Sequence, residues 1–125
     1  MLQIPGLYVA QTLTRGRGVF TGRSIEPGSV IEICEVIFIP EEQLPLLDQT
    51  ILYEYYFLWP DDSKAACIAL GLGSLYNHAP TPNAEVVFDL DETTLTIKSI
   101  QPIAAGSEIC IDYQGGLRNA PELWF

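Results

Sequence analysis

Gly71-Leu72-Gly73-Ser74-Leu75-Tyr76-Asn77-His78-Ala79-Pro80-Thr81-Pro82-Asn83 is the stretch around which the rest of the chain can be organised. It carries the single histidine of the protein, set beside an asparagine and closed by a Pro-Asn pair. Its glycines and prolines forbid a long regular element. Gly71 to Tyr76 suits a tight helical turn that runs into the Asn-His pair. Further on, Glu108-Ile109-Cys110-Ile111-Asp112-Tyr113 has an apolar strand pattern ending in a tyrosine. Near the start stands Gly16-Arg17-Gly18-Val19-Phe20. A Gly-x-Gly or an Asn-His pair alone is a weak signal, so the weight falls on the ordered set.

The segments between read as short strands punctuated by Gly and Pro. Leu7 to Leu13 alternates loosely, and Gly18 to Ser24 continues after the Gly-Arg-Gly turn. Ser29 to Ile39 is rich in Ile and Val, which suits a well-buried strand. Pro40-Glu41-Glu42 looks like a helix start, because acidic side chains favour the positive end of the helix dipole, and Pro45 is expected to interrupt it. Gln49 to Leu58 suits a helix or, through its tyrosines, a strand. Ala65 to Leu70 is short and apolar. Ala84 to Leu90 and Thr93 to Ile100 predict a hairpin across Asp91-Glu92, with Leu95 and Ile97 on one face and Thr94, Thr96 and Lys98 on the other. Ser24 to Ile31 echoes Ser99 to Ile109 in its turn chemistry, too briefly to make a repeat protein.

A chain of 125 residues has room for one domain, here expected over residues 1–125 with a core at about 8–115 and a tail at 116–125. Apolar residues at 48% against charged residues at 18% mark a globular composition. Six basic and sixteen acidic side chains leave a formal charge of −10. Phosphate backbones repel such a surface, so direct nucleic-acid binding is not expected; a lysine-rich protein or peptide is the partner this field attracts. No apolar run approaches the ~18 residues that cross a bilayer, and no signal-peptide pattern opens the chain. The expectation is a soluble intracellular, cytoplasmic protein without membrane association, with a nuclear or secreted-effector location also open. Cys34, Cys67 and Cys110 are widely spaced among aliphatic residues, which favours reduced core thiols over a metal site.

In that order, the Gly-x-Gly loop, the Asn-His turn and the tyrosine-ended strand resemble the SET-domain protein lysine methyltransferases, over nearly the whole chain. The chain is similar to the minimal viral and bacterial SET proteins, since it lacks the cysteine-rich modules that flank larger members. The resemblance implies a mainly β fold, a SET-domain-like β-clip of several small sheets with short helical segments and a pseudoknot-like crossing near Asn77 and Tyr113. It also implies S-adenosyl-L-methionine as methyl donor and a lysine ε-amine of a basic protein, such as a histone, as acceptor.

Residue by residue, the resemblance makes Tyr113 the catalytic hydroxyl that fixes the approach of the amine. Gly16, Arg17, Gly18, Asn77 and His78 would bind the cofactor, with Arg17 helping to meet its carboxylate. The asparagine side chain and the histidine main chain hold the donor in this family, and the histidine ring supports the crossing. Tyr55 is favoured as a wall of the lysine channel, followed by Tyr56. Ile111 falls where the family controls the number of methyls added, and its lack of a hydroxyl implies more than one. Leu123 or Trp124 in the tail would close the cofactor pocket, and a homodimer that completes the channel is compatible with the pattern.

The residues also carry blander readings. A strand-terminal tyrosine can simply pack on a core, the cluster from Tyr53 to Trp59 can be an aromatic seam, and Gly16 to Gly18 can be a plain turn. Ala79 replaces the family's usual serine. The rival function is therefore a non-catalytic SET-like module that binds peptides without the cofactor; a β-rich domain of another kind would leave Asn77 and Tyr113 far apart.

Overall fold

The computed structural model describes residues 2–112 of the chain. Within them short strands alternate with tight turns. β1 is Leu2–Gln3, β2 Leu7–Gln11, β3 Arg17–Thr21 and β4 the long Val30–Ile39. β5 is Phe57–Leu58, β6 Ala66–Ala69 and β7 Asn77–His78. β8 (Ala84–Asp89), β9 (Thr94–Ser99) and β10 (Glu108–Ile111) complete the set. Among the described residues, helical structure is confined to the short helix α1 (Leu44–Leu47) and 3-10 turns at Glu41–Gln43, Ile51–Glu54 and Gly73–Leu75.

Two sheets result. One has the order β5-β6-β4-β9-β8, with β1 added alongside β4; the other has the order β2-β3-β10-β7. Their inner faces share one core, in which Val19, Ile109 and Ile111 from the second sheet meet Ile31, Leu95 and Ile97 from the first. All six are fully buried, each worth roughly 1.5–3 kcal/mol of transfer free energy. Cys34, Cys67 and Cys110 are free, buried thiols, as the sequence pattern predicts.

The expected elements are present with trimmed ends. The hairpin forms between β8 and β9 with Asp89 opposite Thr94, and Thr93 takes a positive φ of 60° to close the loop. The Gly18 to Ser24 strand stops at Thr21. Pro45 does not interrupt the helix start but lies in the first turn of α1, where a missing N–H breaks no helical bond. The ambiguous segment before Leu58 is both things in turn: Thr50 caps a 3-10 turn by accepting from the Leu52 N–H, and Phe57–Leu58 then pairs with β6. β1 is the strand the pattern does not reveal, a dipeptide that exists only through its pairing with β4. The two echoing turns lie side by side, joined by the Ile25–Ile103 bridge. Among the described residues no helix is long and apolar enough to cross a membrane.

Candidate active site

β10 is the strand that assembles the site. It runs antiparallel to β3, with Glu108 opposite Phe20 and Ile109 opposite Val19. On its other side it runs parallel to β7, with Cys110 beside Asn77 and Ile111 beside His78. Parallel neighbours need a long connection, which the β8–β9 hairpin and the turns around it supply. The chain after His78 then closes over β10. The Ala79 N–H donates to Ile111 O at 3.0 Å, and the Asn83 N–H donates to Cys110 O at 3.2 Å. Asn83 also accepts from the Cys110 N–H through Oδ1 at 2.8 Å and donates from Nδ2 to Glu108 O at 2.9 Å. This is the expected pseudoknot-like crossing, held mostly by main chain. Ala79 contributes through its N–H, so its missing hydroxyl leaves that staple in place.

Three sequence-distant segments meet where β3, β7 and β10 lie side by side. The Asn77 amide donates to Arg17 O at 3.1 Å and to Glu108 Oε2 at 2.8 Å. Gly18 is pressed against both: a Cβ there would overlap Glu108 Oε2 and stand 2.8 Å from Asn77 Nδ2. A side chain at this position would push the ends of both aside. The flexible Gly16, at φ 70°, turns the preceding loop, which is tied by Thr12 accepting from the Arg15 N–H at 2.8 Å.

That loop presents a residue the sequence reading missed. Arg15 forms an ion pair with Glu108 at 3.0 Å and donates from its other guanidinium nitrogen to His78 O. Arg17, expected to meet the cofactor carboxylate, is exposed and enters the network only through its carbonyl. Strand alternation explains the difference, since β3 buries Gly18 and turns Arg17 outward. Glu108, quoted only as the start of a strand, receives both Asn77 and Arg15. It pairs with Phe20 across β3 and β10, and its carboxylate reaches Gly18 two residues along on the same face of the sheet.

The His78 ring is partly buried, with Nδ1 3.7 Å from Asp112 Oδ1. Burial pushes its pKa below the ordinary value, against the pull of the Asp112 carboxylate, so the ring is neutral near pH 7. Ile111 is fully buried in the core. Tyr56 is buried and donates to Asp48 Oδ1 at 2.7 Å, edge-on to Tyr53 at 6.4 Å. Tyr55 is half-buried at the end of the 3-10 turn. Phe57 and Trp59 belong to an aromatic seam with Phe38 and Phe88, the bland reading for those two rings. Tyr113 and the tail residues Leu123 and Trp124 lie outside the described residues.

The donor set fits a zwitterionic amino-acid moiety such as the methionine end of S-adenosylmethionine. A glycine-cleared backbone, a side-chain amide, a guanidinium and a carboxylate stand together, offering complementary groups to an α-carboxylate and an α-ammonium.

The chain is similar to several known proteins. Residues 16–114 match the family described as SET domain. A histone-lysine N-methyltransferase of Schizosaccharomyces pombe, specific for H3 lysine-37, is 32% identical over 120 residues, covering 95% of this chain and 76% of that protein. A candidate histone methyltransferase of Plasmodium falciparum has a crystal structure that matches with a TM-score of 0.71 at 27% identity, over 90% of this chain and 95% of its own.

Proposed function

This chain belongs to the SET-domain family, and from that premise we propose that it transfers methyl groups from S-adenosylmethionine to a lysine ε-amine of a basic, histone-like protein. The observation that carries the reading is the meeting of Gly18, Asn77 and Glu108 at a backbone crossing, where both side chains stand directly against the glycine.

When bound, S-adenosylmethionine supplies a methyl group on a sulfonium, already a good leaving group, so the protein's work is alignment and water exclusion. Gly16 to Gly18 let the main chain approach the donor, and the Asn77 amide with the His78 main chain orients it. Arg15 is the better placed guanidinium for its carboxylate, because it already donates to His78 O. The neutral His78 ring packs at the crossing and is not a base.

The acceptor amine attacks in its neutral form, whereas free lysine has a pKa of about 10.4. A desolvated aromatic channel favours deprotonation. We assign its walls to Tyr55, Tyr56 and Ile111, and the orienting hydroxyl to Tyr113, which follows directly after β10 and Asp112 in sequence. Ile111 offers no hydroxyl to hold a water against the amine, so products carry more than one methyl. The formal charge of −10 favours a lysine-rich partner in the cytoplasm over nucleic acid. The same reading takes residues 1–125 as one domain, with a homodimer compatible with the channel.

The test pairs calorimetry with S-adenosylmethionine and mass spectrometry of a basic protein extract after incubation with labelled donor. Donor binding with label on lysine supports the reading; absence of donor binding sinks it. Tyr113→Phe should lower turnover roughly 100-fold with donor affinity nearly unchanged.

A further inference from the structure

The largest unexplained polar feature lies away from the crossing. Glu32, in the middle of β4, is fully buried. A buried carboxylate persists only where hydrogen bonds replace its water. Here Oε1 accepts from the Tyr76 hydroxyl at 2.8 Å, while Oε2 accepts from the Leu72 N–H and from Gln3 Nε2, both at 3.0 Å.

Leu72 and Tyr76 are not arbitrary partners. They flank the 3-10 turn Gly73–Leu75 on its two sides. One carboxylate therefore holds both ends of a single turn, one end through each oxygen. The residue after Tyr76 is Asn77. The turn is also seated tightly: a Cβ on Gly73 would lie 2.5 Å from Ala69 Cβ and 2.8 Å from Cys34 Sγ, and the Ala69 N–H donates to Ser74 Oγ at 3.0 Å. Tyr76 itself is fully buried, so its ring cannot swing to follow a displaced hydroxyl partner.

The geometry points to Glu32 and Tyr76 as positioning residues for the donor site: the buried carboxylate clamps the turn that delivers Asn77 and His78 to the crossing. This rests on the reading of Asn77 and His78 as donor-binding residues. Neither Glu32 nor Tyr76 touches the donor; they act by holding Asn77 in the place where its amide meets Arg17 O and Glu108. Gln3 binds the same carboxylate from β1 and holds no part of the turn, which makes it the internal control.

The experiment compares Tyr76→Phe, Glu32→Gln and Gln3→Ala by calorimetry with S-adenosylmethionine and by steady-state kinetics, well below each variant's melting temperature. Tyr76→Phe keeps the ring and removes one anchor. Glu32→Gln removes the charge its three donors share: an NH₂ facing the Leu72 N–H loses that anchor, and one facing Tyr76 forces the hydroxyl to accept instead of donate. Each should weaken donor binding about tenfold, while kcat at saturating donor and KM for the acceptor stay within about twofold. Gln3→Ala should lower the melting temperature with donor affinity within about twofold of wild type. If Tyr76→Phe melts lower yet binds the donor like wild type, the clamp is only a stabilising contact and the inference falls. Should Glu32→Gln fail to fold, Tyr76→Phe decides. A wild-type protein that does not bind the donor overturns the functional reading instead, a result distinct from equal binding by wild type and variant.

Discussion

Asn77 donates to Glu108 Oε2 at 2.8 Å, joining a residue of β7 to one of β10 across the crossing. The same carboxylate receives Arg15 on its other oxygen at 3.0 Å. Glu108 is thus the shared acceptor for the loop before β3 and for the Asn-His strand. Its side chain is only 12% exposed, so these bonds are shielded from much of the solvent screening that weakens surface pairs.

Replacing Glu108 by Gln keeps the shape and one acceptor but discharges the pair with Arg15. Donor affinity should fall severalfold, and because the pair is shielded the loss should change little between low and high salt. Asn77→Ala removes the amide altogether and should cost about tenfold or more in donor affinity. Calorimetric titration at two ionic strengths checks both.

Gly18→Ala places a methyl group where Glu108 Oε2 and Asn77 Nδ2 already stand. The overlap should destabilise the fold by about 1–3 kcal/mol and abolish detectable donor binding, because the groups displaced are those of the site. Gly28→Ala is the comparison, since at φ 78° it is strained by backbone conformation yet meets nothing within 4 Å. It should lose stability and keep donor affinity. Urea unfolding and calorimetry separate the two.

His78 has a folded-state pKa below its ordinary 6.5, chiefly through burial. On acidification the unfolded chain takes up the proton first, so stability falls as pH drops below about 6.5 and levels off once the folded ring protonates. Above that value both states are neutral and this contribution is flat. His78→Gln should therefore show a shallower loss of stability than wild type between about pH 5 and pH 6.5, measured by denaturant unfolding.

Burial pushes the Cys34 and Cys67 thiols up to about 12 and the Cys110 thiol up to about 11. Thiolate is then on the order of one part in a thousand or less at pH 8. A thiol reagent at that pH should leave the native protein unmodified over a period in which the denatured protein reacts at all three cysteines. Rapid native labelling would show that the core opens readily.

Much of this was legible in the sequence because the decisive signals are local. The Gly71 to Tyr76 turn, the β8–β9 hairpin and the apolar runs of β4 and β10 each announce themselves through Gly, Pro or alternation. The crossing was legible only through the ordered resemblance, since nothing in a strand pattern states that β10 enters between β3 and β7. Arg15 and Glu108 were missed for a related reason. Their chemistry arises from a pairing between segments far apart in the chain, and neither belongs to a motif by itself. Arg17 stands between the glycines of the motif, yet in the fold it is exposed and enters the network through its carbonyl. Glu32 was read as one residue of a buried strand, and its burial as a charge becomes intelligible only once Leu72 and Tyr76 are seen to bracket one turn.

The placement of β10 has a consequence for how the protein is made. Its partners in β3 and β7 leave the ribosome long before it does, and neither can complete the donor cradle until Glu108 arrives between them. Pairings so distant along the chain form late and slowly. On refolding, S-adenosylmethionine binding should therefore appear late, after the local β8–β9 hairpin has formed, and chains truncated before β10 should not take up the donor.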